Sequence, residues 1–220
     1  MEICVVIPAY NAALTIRKVA AETLQSGFPL LVVNDGSRDS TSKEVGELSV
    51  NLMDHERNLG KGAALKSGFS WALEHGFSGV ITLDSDGQHD PSAIPLLLSA
   101  ATEGDFDIVL ASRFSQFTHM SGLRRHWNRF GAWCMKKRTG FDISDSQSGF
   151  RYYSSRLLKV LVLESNGYEM EMEILMKAWR KGFRIGSIAV PARVVDGRET
   201  SHFRPVRDTW NICMTFLRYM

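Results

Sequence analysis

Short apolar runs that end abruptly in polar turn residues constrain the fold of this chain more than any other feature. Residues 3–7 form a β-branched run that ends at Pro8, and residues 80–83 form one that ends at Asp84. Stretches with helical periodicity separate such runs. Strands that are apolar on both faces and alternate with helices predict a parallel sheet covered by helices on both sides, with right-handed crossovers.

This pattern assigns most of the chain. The predicted strands are residues 3–7, 30–33, 50–53, 80–83, 108–111 and 183–190, with a turn leading into a further strand at 145–153. The predicted helices are residues 14–24, 61–75, 93–102, 123–138, 157–163, 171–181 and 207–220. We find no internal repeat, low-complexity tract or Gly/Ser linker. The chain is therefore interpreted as one domain, residues 1–220, with a regular first half and a less regular second half.

The composition excludes several classes of protein. A net charge of +2 gives no overall attraction to nucleic acid. The three cysteines, Cys4, Cys134 and Cys213, have no metal-ligand spacing, so we expect a reduced chain. The N-terminus does not resemble a signal peptide, and no apolar stretch approaches the ~20 residues that span a bilayer. We therefore expect a cytoplasmic protein that does not cross a membrane but can lie on one.

Polar clusters follow three of the predicted strands. They are Pro8, Ala9, Tyr10 and Asn11; then Asn34, Asp35, Gly36 and Ser37; and finally Asp84, Ser85 and Asp86. A single cluster of this kind is an ordinary turn, because turns are rich in Asn, Asp and Gly. Three such clusters indicate a ligand crevice, because the carboxyl ends of parallel strands meet at one edge of the sheet.

The third cluster has the composition of a metal site. Asp84 and Asp86 repel each other unless a cation or a hydrogen-bond donor lies between them. A hard divalent cation, Mg²⁺ or Mn²⁺, resolves this repulsion and also binds diphosphates. The alternative is a solvated acidic turn. Gln88 adds another oxygen two residues later, and this favours a metal site formed by Asp84, Asp86 and Gln88.

Lys61 lies between two glycines, as a lysine in a phosphate loop often does. The segment is not a Walker A motif, because position 55 is His rather than Gly and Gly62 stands where Ser or Thr should follow. We expect Lys61 to begin a helix, and direct contact with phosphate is the alternative.

Taken in order along the chain, the motifs resemble the inverting family 2 glycosyltransferases of the GT-A fold. Within that family they are most similar to the dolichyl- or polyprenyl-phosphate glycosyltransferases. The matching segments are residues 6–11, 32–41, 58–64, 83–89, 111–114 and 145–151, so the resemblance covers nearly the whole chain. It implies an α/β fold, the GT-A (Rossmann-like) three-layer sandwich with a mostly parallel central sheet. It also implies transfer of a hexose from a nucleotide-sugar of the GDP-mannose or UDP-glucose type, with inversion.

The resemblance assigns roles to individual residues. Residues 1–112 would be the nucleotide-sugar half, and residues 113–220 the acceptor half. The donor would be bound by Pro8, Ala9, Tyr10, Asn11, Val33, Asp35, Gly36, Ser37, Asp84 and Ser85. The metal, Mg²⁺ or Mn²⁺, would be held by Asp84, Asp86 and Gln88, and the catalytic residues would be Asp86, Arg113 and Asp145.

Two positions depart from the family pattern. Ala12 stands where the family usually has Glu, and Asn34 replaces the first of two aspartates. Ala12 removes a polar contact to the base, so the resemblance leaves the identity of the base open. Asn34 can still accept hydrogen bonds and leaves Asp35 in place.

Two amphipathic segments indicate a membrane surface. Residues 113–138 contain seven Lys or Arg and no acid, with Trp127, Phe130 and Trp133 among them. This composition suits an anionic headgroup layer. The alternatives are a helix packed on the core with a solvated basic face, and a single-stranded nucleic acid site, which we do not expect beside a nucleotide-sugar site. The helix predicted at residues 207–220 has a broad apolar face that must be buried in the core, in lipid or in a partner, such as a separate membrane subunit.

The nature of the acceptor decides which residues are needed. A polyprenyl phosphate at the membrane surface is already ionised near neutral pH, so it needs cations rather than a strong base. Candidates for its phosphate are Arg124, Arg125, Arg198, Ser201 and His202. A saccharide hydroxyl would need a carboxylate base, for which Asp145, Glu169 and Glu171 are candidates. A third hypothesis is a non-catalytic nucleotide-sugar-binding subunit, and the intact acidic and basic motif residues argue against it.

Overall fold

The computed structural model describes residues 2–113, 136–141, 148–191, 193 and 203–220. In these residues, a seven-stranded sheet is covered by helices on both faces, as the sequence predicts. The strands are β1 (Ile3–Ala9), β2 (Leu30–Asn34), β3 (Asn51–Asp54), β4 (Gly79–Thr82), β5 (Ile108–Arg113), β6 (Arg151–Ser154) and β7 (Ile185–Val190). The labelled helices are α1 (Ile16–Leu24), α2 (Thr41–Gly46), α3 (Lys61–Glu74), α4 (Ile94–Glu103), α5 (Ser155–Leu158), α6 (Met170–Arg180) and α7 (Pro205–Tyr219).

The strand order in the sheet is β3-β2-β1-β4-β6-β5-β7. Strand β6 runs antiparallel to its two neighbours, β4 and β5, and the remaining pairs are parallel. This direction places Arg151, the first residue of β6, opposite Thr82, the last residue of β4. The chain that precedes β6 therefore lies beside the polar residues that follow β4.

Alternate residues of β1 contribute to two cores, one on each face of the sheet. Cys4 and Val6 pack in the core that includes residues of α3 and α6. Val5 and Ile7 pack in the core that includes residues of α1 and α4. All of β1 is buried, which explains why its sequence is apolar throughout rather than alternating. The loops that follow the strands thus project from a rigid base.

The helix predicted at residues 157–163 is wrong beyond its first turn. Helix α5 ends at Leu158, and residues 161–166 have no regular structure. The carboxylate of Glu173 accepts the N–H groups of Glu164 at 2.9 Å and Ser165 at 2.8 Å. These tertiary hydrogen bonds satisfy the backbone donors of the segment, so the apolar periodicity does not decide its conformation.

Two further features of the fold are not apparent from the sequence. Helix α2 is too short to show a clear period, and the direction of β6 depends on a long connection rather than on local pattern. Most of the helix predicted at residues 123–138 lies outside the described residues, and residues 136–138 are helical.

Helix α7 packs against α6 and leaves a broad apolar face exposed. Thr215 and Tyr219 are buried, whereas Trp210, Met214 and Leu217 are exposed. Ile212 and Phe216 pack against the core, so among the described residues only the outer part of the predicted apolar face is left uncovered. Within the same part of the chain, no helix combines the length and the apolar character needed to span a bilayer.

Candidate active site

A cavity of about 470 Å³ opens at the carboxyl ends of β1, β2 and β4. The residues predicted from the sequence that line it are Pro8, Ala9, Tyr10, Asp35, Asp84, Ser85 and Asp86. It is also lined by Asn58, Gly60, Lys61, Ala64, Gly167, Tyr168, Arg204, Arg207 and Asp208. The three polar clusters therefore converge on one crevice, as expected at this edge of a parallel sheet.

The loop after β1 is tied to the loop after β2 by hydrogen bonds of Asn11. Its N–H donates to Ser37 Oγ at 2.9 Å, and its side-chain oxygen accepts the N–H of Arg38 at 2.8 Å. Asn11 adopts a φ of +47°, a conformation that Asn tolerates better than most residues. Asn11 and Ser37, both predicted to bind the donor, hold the cavity wall together and are not among the described residues that line it.

Val33 and Gly36 also support the wall from behind. Val33 is fully buried within β2. Gly36 has a φ of +65°, and a Cβ at this position would lie 2.2 Å from the carbonyl carbon of Arg57. Only glycine fits here, because the backbone at residues 57–58 packs directly against it.

Asp35 lines the cavity and also binds several other residues of the cavity wall. Its Oδ1 accepts the N–H of Leu59 at 2.9 Å, and its Oδ2 accepts the N–H of Gly60 at 2.8 Å. His55 Nδ1 lies 2.8 Å from Oδ1, and His55 Nε2 lies 2.9 Å from Ser67 Oγ. The carboxylate thereby fixes the loop that leads into α3.

Asp84 and Lys61 form an ion pair at the cavity. Lys61 Nζ lies 2.7 Å from Asp84 Oδ1 and 3.2 Å from Glu171 Oε1. Burial alone would lower the pKa of Lys61, but the two carboxylates outweigh it and hold the pKa above its ordinary value. Lys61 begins α3, as predicted, and it also brings a permanent positive charge to the cavity.

The segment before β6 packs against Asp84. A Cβ on Gly149 would lie 2.3 Å from both carboxylate oxygens of Asp84, so a larger residue here would displace the Asp84 side chain. Thr82 Oγ1 donates to the carbonyl of Gly149 at 2.8 Å. On the other side, His89 Nε2 lies 3.9 Å from Asp84 Oδ2. These contacts fix the orientation of the Asp84 carboxylate toward the cavity.

Asp84 and Asp86, two of the three predicted metal ligands, line the cavity, and the third, Gln88, is not among the described residues that line it. Carboxylate oxygens are the donors that Mg²⁺ and Mn²⁺ take in proteins. The Asp86 side chain accepts the N–H of Gln88 at 2.9 Å, which holds the loop in a tight turn. Among the described residues, no group of three or more His, Cys, Asp or Glu side chains is arranged for a metal. Two carboxylates plus substrate phosphate oxygens are the usual protein environment of Mg²⁺. Such an ion would therefore be held jointly with the substrate.

The start of α7 forms a wall of the cavity that the sequence did not predict. Arg204, the residue before α7, lines it there together with Arg207 and Asp208. Tyr168 lines it beside them, with its ring 5.2 Å from that of Phe203 and 5.4 Å from Lys61 Nζ. Burial raises the pKa of Tyr168 to about 12, so its hydroxyl stays a hydrogen-bond donor. Nothing in the local sequence signals this wall, because 36 residues separate Tyr168 from Arg204.

Several predicted residues cannot be placed in this cavity. Arg113 is the last residue of β5, in register with Val190, and only its backbone is described. The predicted catalytic residue Asp145 and the predicted phosphate ligands Arg124, Arg125, Arg198, Ser201 and His202 lie outside the described residues.

Comparison with known proteins gives a consistent assignment. The sequence model of the family described as Glycosyl transferase family 2 matches residues 4–165. The UDP-N-acetylglucosamine–dolichyl-phosphate N-acetylglucosaminyltransferase of Methanococcus voltae is 29% identical over 211 residues, covering 86% of this chain and 84% of that protein. The undecaprenyl-phosphate mannosyltransferase of Micrococcus luteus is 28% identical, covering 89% and 84% respectively.

Solved structures support the fold. Glucosyl-3-phosphoglycerate synthase of Mycobacterium tuberculosis, crystallised with Mn²⁺, UDP-glucose and phosphoglyceric acid, matches with a TM-score of 0.77 at 20% identity. The match covers 99% of this chain and 79% of that one. The fold is therefore the GT-A sandwich that the sequence predicted. The family match, the named relatives and the fold together identify the chain as a member of glycosyl transferase family 2 and a nucleotide-sugar-dependent glycosyltransferase.

Proposed function

We propose that this enzyme transfers a hexose from a nucleotide-sugar to a polyprenyl phosphate, with inversion at the anomeric carbon. One observation carries the proposal: an acidic strand-end cluster and two arginines at the start of α7 line a single cavity. Asp84 and Asp86 form the acidic cluster, and Arg204 and Arg207 are the arginines. A site of this kind suits two anionic substrates, a nucleoside diphosphate sugar held with a cation and an acceptor phosphate held by arginines.

The reaction needs little from the protein beyond positioning and charge. An ionised phosphate oxygen of the acceptor forms a bond to the anomeric carbon while the bond to the donor diphosphate breaks, and the nucleoside diphosphate leaves. Asp86, Gln88 and Asp84 would hold Mg²⁺ or Mn²⁺, which neutralises charge on the leaving group when bound. Residues 8–10 and Asp35 would form the nucleoside side of the pocket.

The named relatives support a lipid phosphate acceptor. Their names specify dolichyl phosphate and undecaprenyl phosphate as acceptors, and a third relative is a polyprenol monophosphomannose synthase of Mycolicibacterium smegmatis, 27% identical over 208 residues. The sugars in these names differ, so the donor is proposed only as a hexose nucleotide of the GDP-mannose or UDP-glucose type.

The exposed face of α7 would bring the cavity to the membrane surface. Val206, Trp210 and Leu217 are 87%, 66% and 56% exposed. The two arginines that line the cavity lie at the start of the same helix, Arg207 in its first turn and Arg204 directly before it. Insertion of this face at the headgroup boundary would bring a lipid phosphate beside those arginines. A separate membrane subunit covering the same face is the competing arrangement.

A saccharide hydroxyl acceptor is less consistent with the acids of this site. Glu171, one of the candidate bases, is 5% exposed and is engaged by Lys61. Glu169 accepts the N–H of Gly167 at 3.2 Å. Neither residue is among those lining the cavity, so among the described candidates no base faces an acceptor hydroxyl.

The test is a matrix of radiolabelled nucleotide-sugars incubated with and without polyprenyl phosphate in anionic liposomes, in Mg²⁺, Mn²⁺ or EDTA. We expect label in the lipid phase only when both the lipid phosphate and a divalent cation are present. Label only in a soluble saccharide would overturn the proposal.

A liposome flotation assay that compares Leu217→Glu with Leu96→Glu tests the membrane face. Both leucines are 56% exposed, and only Leu217 lies on α7. Loss of flotation is expected for Leu217→Glu alone.

A further inference from the structure

Four side chains of alternating charge extend from the cavity into the protein. We call Asp84, Lys61, Glu171 and Arg151 the charge row. Lys61 Nζ lies 2.7 Å from Asp84 and 3.2 Å from Glu171, and Glu171 Oε2 lies 4.0 Å from Arg151 Nη2. Glu171 and Arg151 are 5% and 0% exposed. The positive and negative charges of the row balance, as buried charges must.

The innermost member of the charge row, Arg151, is held by backbone carbonyls. Arg151 donates from Nε to the carbonyl of Ser148 at 2.6 Å and from Nη1 to the carbonyl of Glu171 at 3.1 Å. Glu171 lies in the first turn of α6. The inner half of the row is therefore a rigid base, and the outer half, Asp84 and Lys61, lines the cavity.

The start of α3 is docked against the segment before α6. The N–H of Ala63 donates to the carbonyl of Asn166 at 3.1 Å. A Cβ on Gly62 would lie 2.7 Å from the carbonyl carbon of Asn166, so the glycine permits this close approach. The docking fixes the backbone of the Lys61 segment relative to the segment before α6, independently of the side-chain charges.

We propose that Glu171 is a positioning residue that shares the Lys61 ammonium with Asp84 and thereby holds it at the cavity wall for the donor diphosphate. The inference rests on the proposed function, because it assumes that this cavity binds a nucleoside diphosphate sugar. When the donor binds, diphosphate oxygens approach Lys61 from the cavity, and Glu171 retains the ammonium from behind. Glu171 therefore acts through Lys61 on donor binding, and it accepts no proton from the acceptor.

A positioning residue and a general base predict different effects of substitution: the first lowers donor affinity, and the second lowers kcat. Glu171→Gln and Lys61→Met should each weaken binding of the donor diphosphate about 10-fold to 100-fold, the range for a charge-assisted hydrogen bond. The double variant should bind only about as weakly as Lys61→Met, because Glu171 acts through Lys61. At saturating donor, kcat should fall much less than the affinity.

The experiment is calorimetric titration of the purified full chain with UDP and with GDP in Mn²⁺, together with steady-state kinetics. Matched controls are Lys66→Met, on the same helix but bonded to Asn166 Oδ1 at 2.6 Å, and Glu164→Gln, which pairs with Lys177 and Arg218. Both controls should bind nucleotide as the unmodified chain does.

Four results would overturn the inference. A general base would make Glu171→Gln lower kcat at saturating donor and leave nucleotide affinity unchanged. If Glu171 acted on the donor independently of Lys61, the double variant would bind nucleotide at least 10-fold more weakly than Lys61→Met. The double variant keeps the charge row balanced, so this comparison can still be made if Glu171→Gln alone does not fold. If neither nucleotide binds the unmodified chain, the proposed function fails with the inference. If nucleotide binds and Glu171→Gln binds it equally well, the inference alone fails.

Discussion

The ends of β2 and β4 each carry an aspartate at the same cavity, yet the two carboxylates differ in their surroundings. Asp35 is 2% exposed and accepts two backbone N–H groups of the next loop. The Asp84 side chain is 22% exposed, and its partner Lys61 also lines the cavity. The comparison teaches that position at a strand end does not determine the role of an aspartate. Asp35 is bound by backbone donors and stabilises the wall, whereas Asp84 is bound by a side chain that itself lines the cavity.

The largest expected effect is on the β4 side. We expect Asp86→Asn to lower kcat/KM by at least about 1000-fold, because it removes a charge from the site that would hold the cation and the diphosphate. The free energy of unfolding should change by less than about 1 kcal/mol. Steady-state kinetics and urea unfolding measure the two quantities, and Asp105→Asn, at an exposed position, is the control.

An Asp86→Asn variant with full activity and a much lower free energy of unfolding would contradict this prediction. It would mean that the β4 loop is structural and that the acidic residues needed for catalysis lie elsewhere.

The second expected effect is on the β2 side, where we expect a loss of stability rather than a direct loss of activity. Asp35→Asn should lower the free energy of unfolding by roughly 3 kcal/mol, because Leu59 and Gly60 lose a charged acceptor for their N–H groups. Urea unfolding at pH 7 measures this loss. Unchanged stability combined with lost nucleotide binding would show that Asp35 acts on the ligand directly, as the family resemblance implies.

The sequence predicted the crevice because local pattern and topology agree there. The run before Pro8 is apolar on both faces, and such strands occur in parallel sheets, whose carboxyl ends meet. The pattern could not distinguish Asp35 from Asp84, because the donors that saturate Asp35 lie 24 and 25 residues later. A partial signal was present in the glycines around Lys61, which permit the close approach of residues 166–167.

The parts of the site that depend on long-range packing were not predicted. The antiparallel direction of β6 brings Gly149 and Arg151 to the cavity region, and no periodicity encodes strand direction. Arg207 was predicted only as the first residue of a helix, and no role was predicted for Arg204. Glu171 was predicted as a candidate base, whereas its contacts are Lys61 and Arg151.

Two glutamates that are close together on α6, Glu171 and Glu173, differ in the same way as Asp84 and Asp35. Glu171 contacts Lys61, which lines the cavity, whereas Glu173 is fully buried and binds the segment before the helix. Burial alone would raise the pKa of Glu173, but hydrogen bonds from Lys177 and from the N–H groups of Glu164 and Ser165 lower it to about 2. Glu173 is thus a structural acid, like Asp35.

The smallest expected effect follows from this assignment. Because the folded-state pKa of Glu173 lies below its ordinary value of 4.5, its stabilisation is complete above about pH 4.5 and is lost as the pH falls toward 2. Glu173→Gln should lower the free energy of unfolding by about 2 kcal/mol at pH 7 and flatten its dependence on pH in that interval. Urea unfolding between pH 2 and 7 measures both changes.

Glu164→Gln is the matched control, because Glu164 also pairs with Lys177 but is half-exposed. It should shift the curve only slightly, since exposed ion pairs contribute little. If both variants lose stability equally, the Lys177 charge rather than the backbone N–H groups holds this segment. If Glu173→Gln retains the slope of the unmodified chain, some other carboxylate governs the acid transition, and the contrast between Glu171 and Glu173 does not extend to stability.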